Sequence, residues 1–279
     1  MRRKIFKKKW ILLGIALLLI LFVTWVIWAN TAPELNYITV KSADLPPEFS
    51  GFRIAHVSDL HSADMVAEVI SLLKEADPDM IAFTGDLVDS YHEDTKTTLL
   101  FLKKASEIAP CYYIRGNHEM AVENDTEYWK QVSDFGITVL NNEKTTLYKN
   151  NAEITVMGLD DLAFHSTVVG YAKDTLGSLM ENEDGFTLLL SHRPESFLLY
   201  AENGVDLALT GHAHGGQIRL PFIGGLYAPN QGKFPKYDAG LYQKDGTQMV
   251  VSRGIGNSSF PLRFNNRPEV ILVELVSEE

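Results

Sequence analysis

The sequence FRIAHVSDLH occupies residues 52–61, and its pattern is repeated along the chain. Its first half, Phe52 to Val57, is rich in apolar residues and predicts a buried strand. Asp59 and His61 follow directly, at the carboxyl end of that strand, where open α/β sheets collect their ligand-binding groups. We therefore expect a sheet that presents polar side chains along one edge.

A short apolar run with a polar end recurs further along the chain. The later polar ends are Gly85-Asp86, Gly116-Asn117-His118, Ser191-His192 and Gly211-His212-Ala213-His214. The strand candidates are Phe52 to Val57, Met80 to Thr84, Cys111 to Ile114, Ile154 to Met157, Thr187 to Leu190 and Leu207 to Thr210. Helical patterns fit between them at Met65 to Ala76, Thr95 to Ile108, Glu123 to Phe135 and Pro194 to Asn203. This alternation predicts an α/β domain with helices covering sheets.

The pattern changes to hairpins after Thr210. Runs 241–244 and 249–252 are joined across Asp245-Gly246, which is a typical hairpin turn, and a last strand is expected at residues 269–275. A second half rich in strands favours two packed sheets over one doubly wound sheet.

The polar strand ends carry seven candidate metal ligands. They are Asp59, His61, Asp86, Asn117, His192, His212 and His214. Imidazole and carboxylate donors without thiolate suit Zn, Fe or Mn, and seven donors are more than one ion normally takes. Two divalent ions about 3.5–4 Å apart can activate water at neutral pH and clamp both oxygens of an in-line displacement. A single histidine is more often a core or surface residue, and we interpret His56, His92 and His165 in that way.

Five motifs occur in a fixed order along the chain. They are Asp-x-His from Asp59, Gly-Asp-x-x-Asp from Gly85, Gly-Asn-His-Glu from Gly116, a single His at 192 and Gly-His-x-His from Gly211. Together they resemble the calcineurin-like metallophosphoesterase superfamily. The resemblance covers nearly all of residues 35–279 and points to the membrane-associated branch, which includes phosphodiesterases and UDP-2,3-diacylglucosamine pyrophosphatase-like enzymes. The expected fold class is α/β, a four-layer α-β-β-α sandwich of two mixed sheets flanked by helices.

The resemblance also implies a role for each site residue. One ion would be bound by Asp59, His61 and His214. The second would be bound by Asn117, His192 and His212, with Asp86 bridging both. His118 would meet the phosphate or protonate the leaving oxygen, and Asp89 is placed to orient its imidazole. The cofactors expected are therefore two divalent metal ions, Mn, Zn or Fe.

The N-terminus predicts a membrane anchor. Six of the first nine residues are Lys or Arg, and Trp10 to Trp28 then runs without a charge, which is long enough to span a bilayer. The basic flank should stay cytoplasmic, so we expect a single-pass protein of the cell membrane with an extracytoplasmic catalytic domain. The run Arg2-Arg3-Lys4-Ile5-Phe6-Lys7 also resembles a twin-arginine export signal, which leaves the export route open. The predicted segments are a flank at 1–9, an anchor or uncleaved signal at 10–29, a linker with an edge strand at 30–50, and the catalytic domain at 51–279.

Composition excludes some functions. The chain has 25 basic and 36 acidic residues, and because many of the basic ones lie in the N-terminal flank, the body is strongly acidic. A nucleic-acid-binding surface usually has the opposite charge, so none is expected. The single cysteine, Cys111, rules out an intrachain disulfide and lies in an apolar run, where we expect a buried, inert thiol.

The expected function is hydrolysis of a phosphoester at the membrane, with a phosphodiester favoured over a monoester. Two alternatives stay open at this point: a pyrophosphatase of a UDP-linked lipid, and a metal-stabilised binding module without catalysis. The segment 219–240 follows the last two histidines and is either a substrate-contacting loop or a packed surface loop. The sequence does not identify a protein partner.

Overall fold

The computed structural model of the 279-residue chain describes residues 2–91, 95–165, 170–257 and 260–278. The helices in these residues are α1 (Arg2–Thr31), α2 (Val66–Ala76), α3 (Lys96–Ser106), α4 (Thr126–Asp134), α5 (Tyr171–Leu179) and α6 (Phe197–Glu202). Strands β1–β8 are Glu34–Ser42, Arg53–Val57, Met80–Thr84, Cys111–Ile114, Thr138–Val139, Glu143–Lys149, Ala152–Gly158 and Thr187–Leu190. Strands β9–β16 are Leu207–Thr210, Arg219–Leu220, Gly224–Gly225, Tyr227–Ala228, Gly232–Lys233, Gly240–Lys244, Thr247–Val251 and Glu269–Ser277.

Twelve of these strands form two six-stranded sheets. The first has the order β1-β16-β2-β3-β4-β5, and the second has the order β14-β15-β9-β8-β7-β6. Both sheets are mixed. In the first sheet β2, β3, β4 and β5 run parallel, and β16 is antiparallel to β2. In the second sheet β7, β8, β9 and β15 run parallel, and β6 is antiparallel to β7. The prediction of an α/β fold with mixed sheets is therefore confirmed.

The observed elements differ from the expected ones mainly at their boundaries. α4 begins at Thr126 rather than at Glu123, because the side chain of Asp125 caps it by accepting hydrogen bonds from the N–H groups of residues 127 and 128. The helix expected from Pro194 begins as a 3-10 turn and becomes α6 only at Phe197. β6 and α5 have weak sequence patterns, since β6 is largely polar, and neither was expected.

The buried apolar side chains form three clusters. One cluster joins the first sheet to α2, α3 and α4, through residues such as Phe83 and Phe101. A second contains residues of both sheets, including Ala82 and Leu188, and a third joins the second sheet to α5 and α6. The two sheets therefore share one core, which fixes their strand ends relative to one another.

α1 is joined closely to the body. Its residues Lys8–Thr31 form a helix long and apolar enough to cross a membrane. Only two residues separate α1 from β1, which is the edge strand of the first sheet and pairs with β16 over nine residues. The interval 30–50 thus contains the end of α1, β1 and a short 3-10 turn at Pro47–Phe49. The boundaries of the four segments named above stay predictions.

Candidate metal centre

Five parallel strands deliver the candidate ligands to one place. β2, β3 and β4 of the first sheet and β8 and β9 of the second each end just before one of the motifs. The donor atoms within each of three groups lie within 4.8 Å of one another. The groups are Asp59, His61 and His214; His61, Asp86 and His118; and Asp86, His192 and His212. All of these residues are buried.

Asp86 lies between the two outer groups. Its Oδ2 atom is 3.8 Å from His61 Nε2 and 3.1 Å from His192 Nε2. In the first outer group His214 Nε2 lies 3.3 Å from His61 Nε2 and 3.4 Å from Asp59 Oδ1. In the second, His212 Nδ1 lies 3.0 Å from His192 Nε2. A single carboxylate thus faces both groups.

The backbone at the ligands is strained. Positive φ angles occur at Asp59 (53°), His61 (46°), Asp86 (54°), His212 (63°) and His214 (47°). Few residues other than glycine adopt this left-handed conformation, and such outliers concentrate at functional sites. Hydrogen bonds between the strand-end loops hold it here: Asp59 N–H donates to Gly85 O, His61 N–H to Asp86 O, and His212 N–H to the Asp59 carboxylate.

Two glycines allow these loops to approach each other. A Cβ atom at Gly211 would lie 1.9 Å from Ser58 Oγ and 2.3 Å from Asp59 Oδ2. A Cβ atom at Gly116 would lie 2.3 Å from Asp86 Oδ1. Glycine is therefore required at both positions by close contact with a ligand carboxylate.

Burial keeps three of the imidazoles neutral, as a metal ligand must be. It lowers the pKa of His61 to about 4 and the pKa values of His212 and His214 well below their ordinary value. Burial also opposes the charge of His192, but the carboxylates of Asp86, Asp59 and Asp161 together outweigh it and raise the pKa of His192 to about 10. A bound cation would replace that proton, so metal binding should release it.

The donor set fits two cations. The Oδ1 atom of Asn117 is buried and has no hydrogen-bond partner, although a buried amide oxygen normally has one. A metal ligand bond would satisfy it. His192 Nδ1 lies 2.7 Å from the carbonyl oxygen of Thr84, which fixes the ring with Nε2 directed at Asp86.

His118 lies beside the ligands. Its Nε2 atom is 4.0 Å from Asp86 Oδ2, and its backbone N–H donates to Asp86 Oδ1. Asp89 Oδ1 lies 3.4 Å from His118 Nδ1, but the backbone N–H of Ser90 is closer and donates to Nδ1 over 3.0 Å. The neutral ring therefore carries its proton on Nε2, and Ser90 helps to fix that tautomer.

The structure adds residues that the sequence did not single out. Arg193 donates to both carboxylate oxygens of Asp161 over 2.6 and 2.8 Å, and its Nη1 atom lies 3.2 Å from His212 Nε2. The Glu119 carboxylate accepts from the backbone N–H groups of Asp86, Leu87 and Gly116, and so holds the loop after β3. Arg193 directly follows His192, and Glu119 is the last residue of the Gly-Asn-His-Glu motif, but the sequence predicted a role for neither side chain.

A cavity of about 280 Å³ opens beside the ligands. Its lining includes His118, Arg193, Tyr91, Pro229 and Asn230. The last two belong to segment 219–240, so part of that segment borders the site. The same segment also contains several exposed apolar residues, among them Phe222 and Phe234. Arg253 forms ion pairs with Glu34 and Glu269.

Of the remaining histidines, the two that the structure describes lie outside the ligand cluster. His56 is buried, its Nε2 atom lies 2.8 Å from Thr84 Oγ1, and burial lowers its pKa to about 3. His165 Nε2 lies 3.0 Å from Asp160 Oδ2. His92 lies outside the described residues.

Two mixed sheets with carboxylate and imidazole donors at their strand ends are typical of a metal-dependent phosphoesterase, and comparison with known families agrees. The Calcineurin-like phosphoesterase family (Metallophos) matches residues 52–216, and the chain belongs to this family. It is accordingly a metal-binding phosphoester hydrolase.

The similar proteins include bacterial and animal relatives. The uncharacterized metallophosphoesterase YkuE of Bacillus subtilis is 34% identical over 248 residues, which cover 86% of this chain and 84% of the relative. Phosphodiesterase YaeI of Escherichia coli is 32% identical, with 81% and 82% covered. A Bos taurus transmembrane protein with metallophosphoesterase domain is 27% identical over 92% of this chain and 60% of its own length. Together with α1, this last relative supports a membrane anchor.

Solved structures share the fold. The sulfate thiohydrolase SoxB of Thermus thermophilus superposes with a TM-score of 0.52 at 10% identity, over 82% of this chain and 57% of that one. TT1561 of the same organism gives a TM-score of 0.51 at 14% identity, over 74% and 91%. At these identities the likeness concerns the fold alone.

Proposed function

We propose that the protein hydrolyses phosphodiesters at a centre of two divalent metal ions, Mn, Zn or Fe, close to the membrane. The observation that carries this proposal is the buried carboxylate of Asp86, which faces two groups of donors at once. The unpartnered Asn117 oxygen supports a second ion, because without a cation its burial would be unfavourable.

The proposed ligand sets follow the two outer groups. The first consists of Asp59, His61 and His214, the second of Asn117, His192 and His212, and Asp86 is shared. When bound, a pair of divalent ions supplies an activated water and positive charge for the phosphoester oxygens. The strained, hydrogen-bonded loops hold the donors in place before the ions arrive.

His118 and Arg193 would act on the substrate. The Nε2–H of His118 points toward the ligand cluster and can donate to a phosphoester oxygen, while Ser90 N–H and the nearby Asp89 carboxylate orient the ring from its Nδ1 side. Arg193 keeps Nε and Nη2 on Asp161, so Nη1 is the guanidinium nitrogen nearest the ligands, and it borders the cavity as a fixed positive charge.

Hydrolysis assays on the full-length chain test the proposal. Bis(p-nitrophenyl) phosphate and p-nitrophenyl phosphate would be compared after reconstitution with Mn, Zn or Fe. We expect faster cleavage of the diester and two metal ions per chain. Asp86→Asn should lose both metal binding and turnover, whereas Glu153→Gln, an exposed carboxylate on β7, should change neither. One ion per chain in the active protein would contradict the two-ion centre, and turnover without metal would contradict the reaction.

Cleavage of a UDP-linked lipid is the competing proposal, since the sequence resembles that branch as well. The name of the relative YaeI supports the phosphodiesterase instead. If release of UMP from a UDP-linked lipid proceeded faster than diester hydrolysis under the same conditions, the pyrophosphatase would be favoured. A metal-loaded chain that binds phosphate and cleaves none of these substrates would be a binding module.

We further propose that the catalytic domain lies outside the cytoplasm, because the basic flank precedes the apolar span. Protease added to intact cells, freed of any outer envelope, should then digest the body. Protection until the cells are lysed would place it in the cytoplasm.

The three apolar clusters also support the four-layer order α-β-β-α, with the shared cluster between the sheets. A crystal structure in which the sheets do not face each other across this cluster would contradict that order.

A further inference from the structure

The end of α1 is fixed rigidly to the body near the metal centre. Asn30 accepts a hydrogen bond from Arg263 N–H over 2.7 Å and donates from Nδ2 to Arg263 O over 2.9 Å. Arg267 donates to Ala32 O, and its guanidinium lies 4.4 Å from the ring centre of Trp28. The body therefore has a defined orientation relative to the helix, unlike a domain on a flexible tether.

The body reaches alongside the apolar span. The ring of Phe264 lies 5.5 Å from that of Trp25 and 6.4 Å from that of Phe22, between centroids. The uncharged run from Trp10 to Trp28 is about 28 Å long as a helix, and a bilayer core is about 30 Å thick. The whole run is needed to cross, so Phe22, about 9 Å below Trp28, lies within the lipid layer.

Phe264, which contacts α1 at the depth of Phe22 in the bilayer, also pairs with a neighbouring hairpin. It forms a β-bridge with Ile218, and Arg219 N–H donates to Phe264 O over 3.0 Å. The hairpin β10–β11 begins at Arg219 and turns through residues 221–223. Four large apolar side chains are exposed here: Phe222 and Ile223 in the turn of the hairpin, and Phe260 and Leu262 in the segment that leads to Phe264. We call these four residues the apolar rim.

Single exposed apolar residues are common on protein surfaces, but a group beside a membrane span indicates a membrane contact. We propose that the apolar rim enters the lipid layer beside α1 and holds the metal centre at the level of the lipid headgroups. A bilayer fits this surface because the span that adjoins it is itself the part of the chain that must lie in lipid. The apolar face of an amphipathic helix at a membrane surface is typically buried about 5–10 Å deep, and we expect a similar depth for the rim.

Direct side-chain contacts join the apolar rim to the metal centre. Arg263, buried between the rim and the site, places Nη2 3.4 Å from His214 Nδ1 and also donates to Gly256 O. A docked rim would therefore set the height of the site above the bilayer. The docked metal centre would then reach phosphoester groups of lipid headgroups, a step that rests on the proposed function.

Depth-dependent quenching tests the docking directly. The full chain carrying Phe222→Cys, labelled with an environment-sensitive fluorophore, would be reconstituted in phosphatidylcholine–phosphatidylglycerol vesicles with nitroxide on the acyl chains of both leaflets. Tyr148→Cys is the matched control, since this exposed aromatic lies on β6, five strand spacings or roughly 24 Å from β14 at the other edge of its sheet. The rim lies near the β14 edge, because Arg219 at the start of its hairpin borders the same cavity as Gly240 at the start of β14. Cys111 is buried and should not take the label.

We expect the label at 222 to be quenched strongly and the label at 148 hardly at all. Leu262→Cys should behave like Phe222→Cys. Equal quenching at 222 and 148 would overturn the proposal, and so would a shielded but unquenched label at 222, which would indicate contact with a second copy of the chain instead.

A second experiment, which measures hydrolysis, separates this proposal from the proposed function. Phe222→Asp combined with Ile223→Asp should leave hydrolysis of bis(p-nitrophenyl) phosphate in detergent unchanged, and should reduce hydrolysis of the phosphodiester of the vesicle lipid, measured as release of the lipid headgroup. Deep quenching without any diester hydrolysis would sink the proposed function and leave the docking intact. Vesicle-lipid hydrolysis that the double substitution does not alter would overturn the inferred role of the rim.

Discussion

Gly254→Ala should damage the metal centre from outside the ligand set. Gly254 has φ +70°, and a Cβ atom there would lie 2.6 Å from Asp59 Cβ. Carbon atoms pack at about 3.5–4.0 Å, so Asp59 or the loop must move by about 1 Å. The left-handed conformation costs an alanine about 1–2 kcal/mol, and the overpacking adds about 1–3 kcal/mol. We expect the free energy of unfolding to fall by about 2–5 kcal/mol.

The same displacement should impair catalysis. A misplacement of about 1 Å can lower turnover by roughly 10²-fold, and the displaced carboxylate should also bind its ion more weakly. Turnover of bis(p-nitrophenyl) phosphate, metal content per chain and denaturant unfolding would be measured on the same samples. These measurements separate a lost site from a merely less stable protein.

Gly246→Ala provides the matched control. Gly246 has φ +90° in the hairpin turn after β14, and nothing lies within 4 Å of the added Cβ. It should lose only the backbone contribution of about 1–2 kcal/mol and keep wild-type turnover and metal content. If Gly254→Ala matched this control in turnover and metal content, the argument from the contact with Asp59 would be refuted.

Three further predictions concern the site and the core. His118→Ala should lower turnover by about 10²–10⁴-fold while both ions stay bound, and near-wild-type turnover would exclude the role proposed for this imidazole. Asp161→Asn removes the carboxylate that accepts two hydrogen bonds from the buried Arg193 guanidinium and leaves the weaker contact with Glu195, whose Oε1 lies 3.6 Å from Nη1. Denaturant unfolding should then show a loss of up to about 3–5 kcal/mol, and an unchanged midpoint would argue against the Arg193–Asp161 ion pair. Burial raises the pKa of the Cys111 thiol to about 12, so iodoacetamide should modify it at pH 8 only after denaturation, and rapid modification of the native protein would show that the thiol is accessible.

The central parallel strands of both sheets were predictable because their signals are local. The strand runs 80–84, 111–114, 187–190 and 207–210 match the observed strands, since each is a short apolar run ended by a polar motif. β6 and α5 were not predicted, because a polar edge strand and a helix with weak periodicity are stabilised by contacts with the second sheet and its neighbours. Their existence depends on tertiary packing rather than on local preference.

The strand-end motifs by themselves predicted the candidate donors and a metal-dependent chemistry, because residue type and position after a strand fix which atoms reach the sheet edge. The tertiary structure decided how those donors group. Only folding places Asp86, in the loop after β3, next to His192, which follows β8 and lies 106 positions further along the chain. Only folding sets Ser90 and Arg193 beside the histidines that they contact. The relation of the anchor to the site was likewise invisible in the sequence. It depends on Asn30, Arg263 and Phe264, which are far apart along the chain and meet only because β1 and β16 pair side by side.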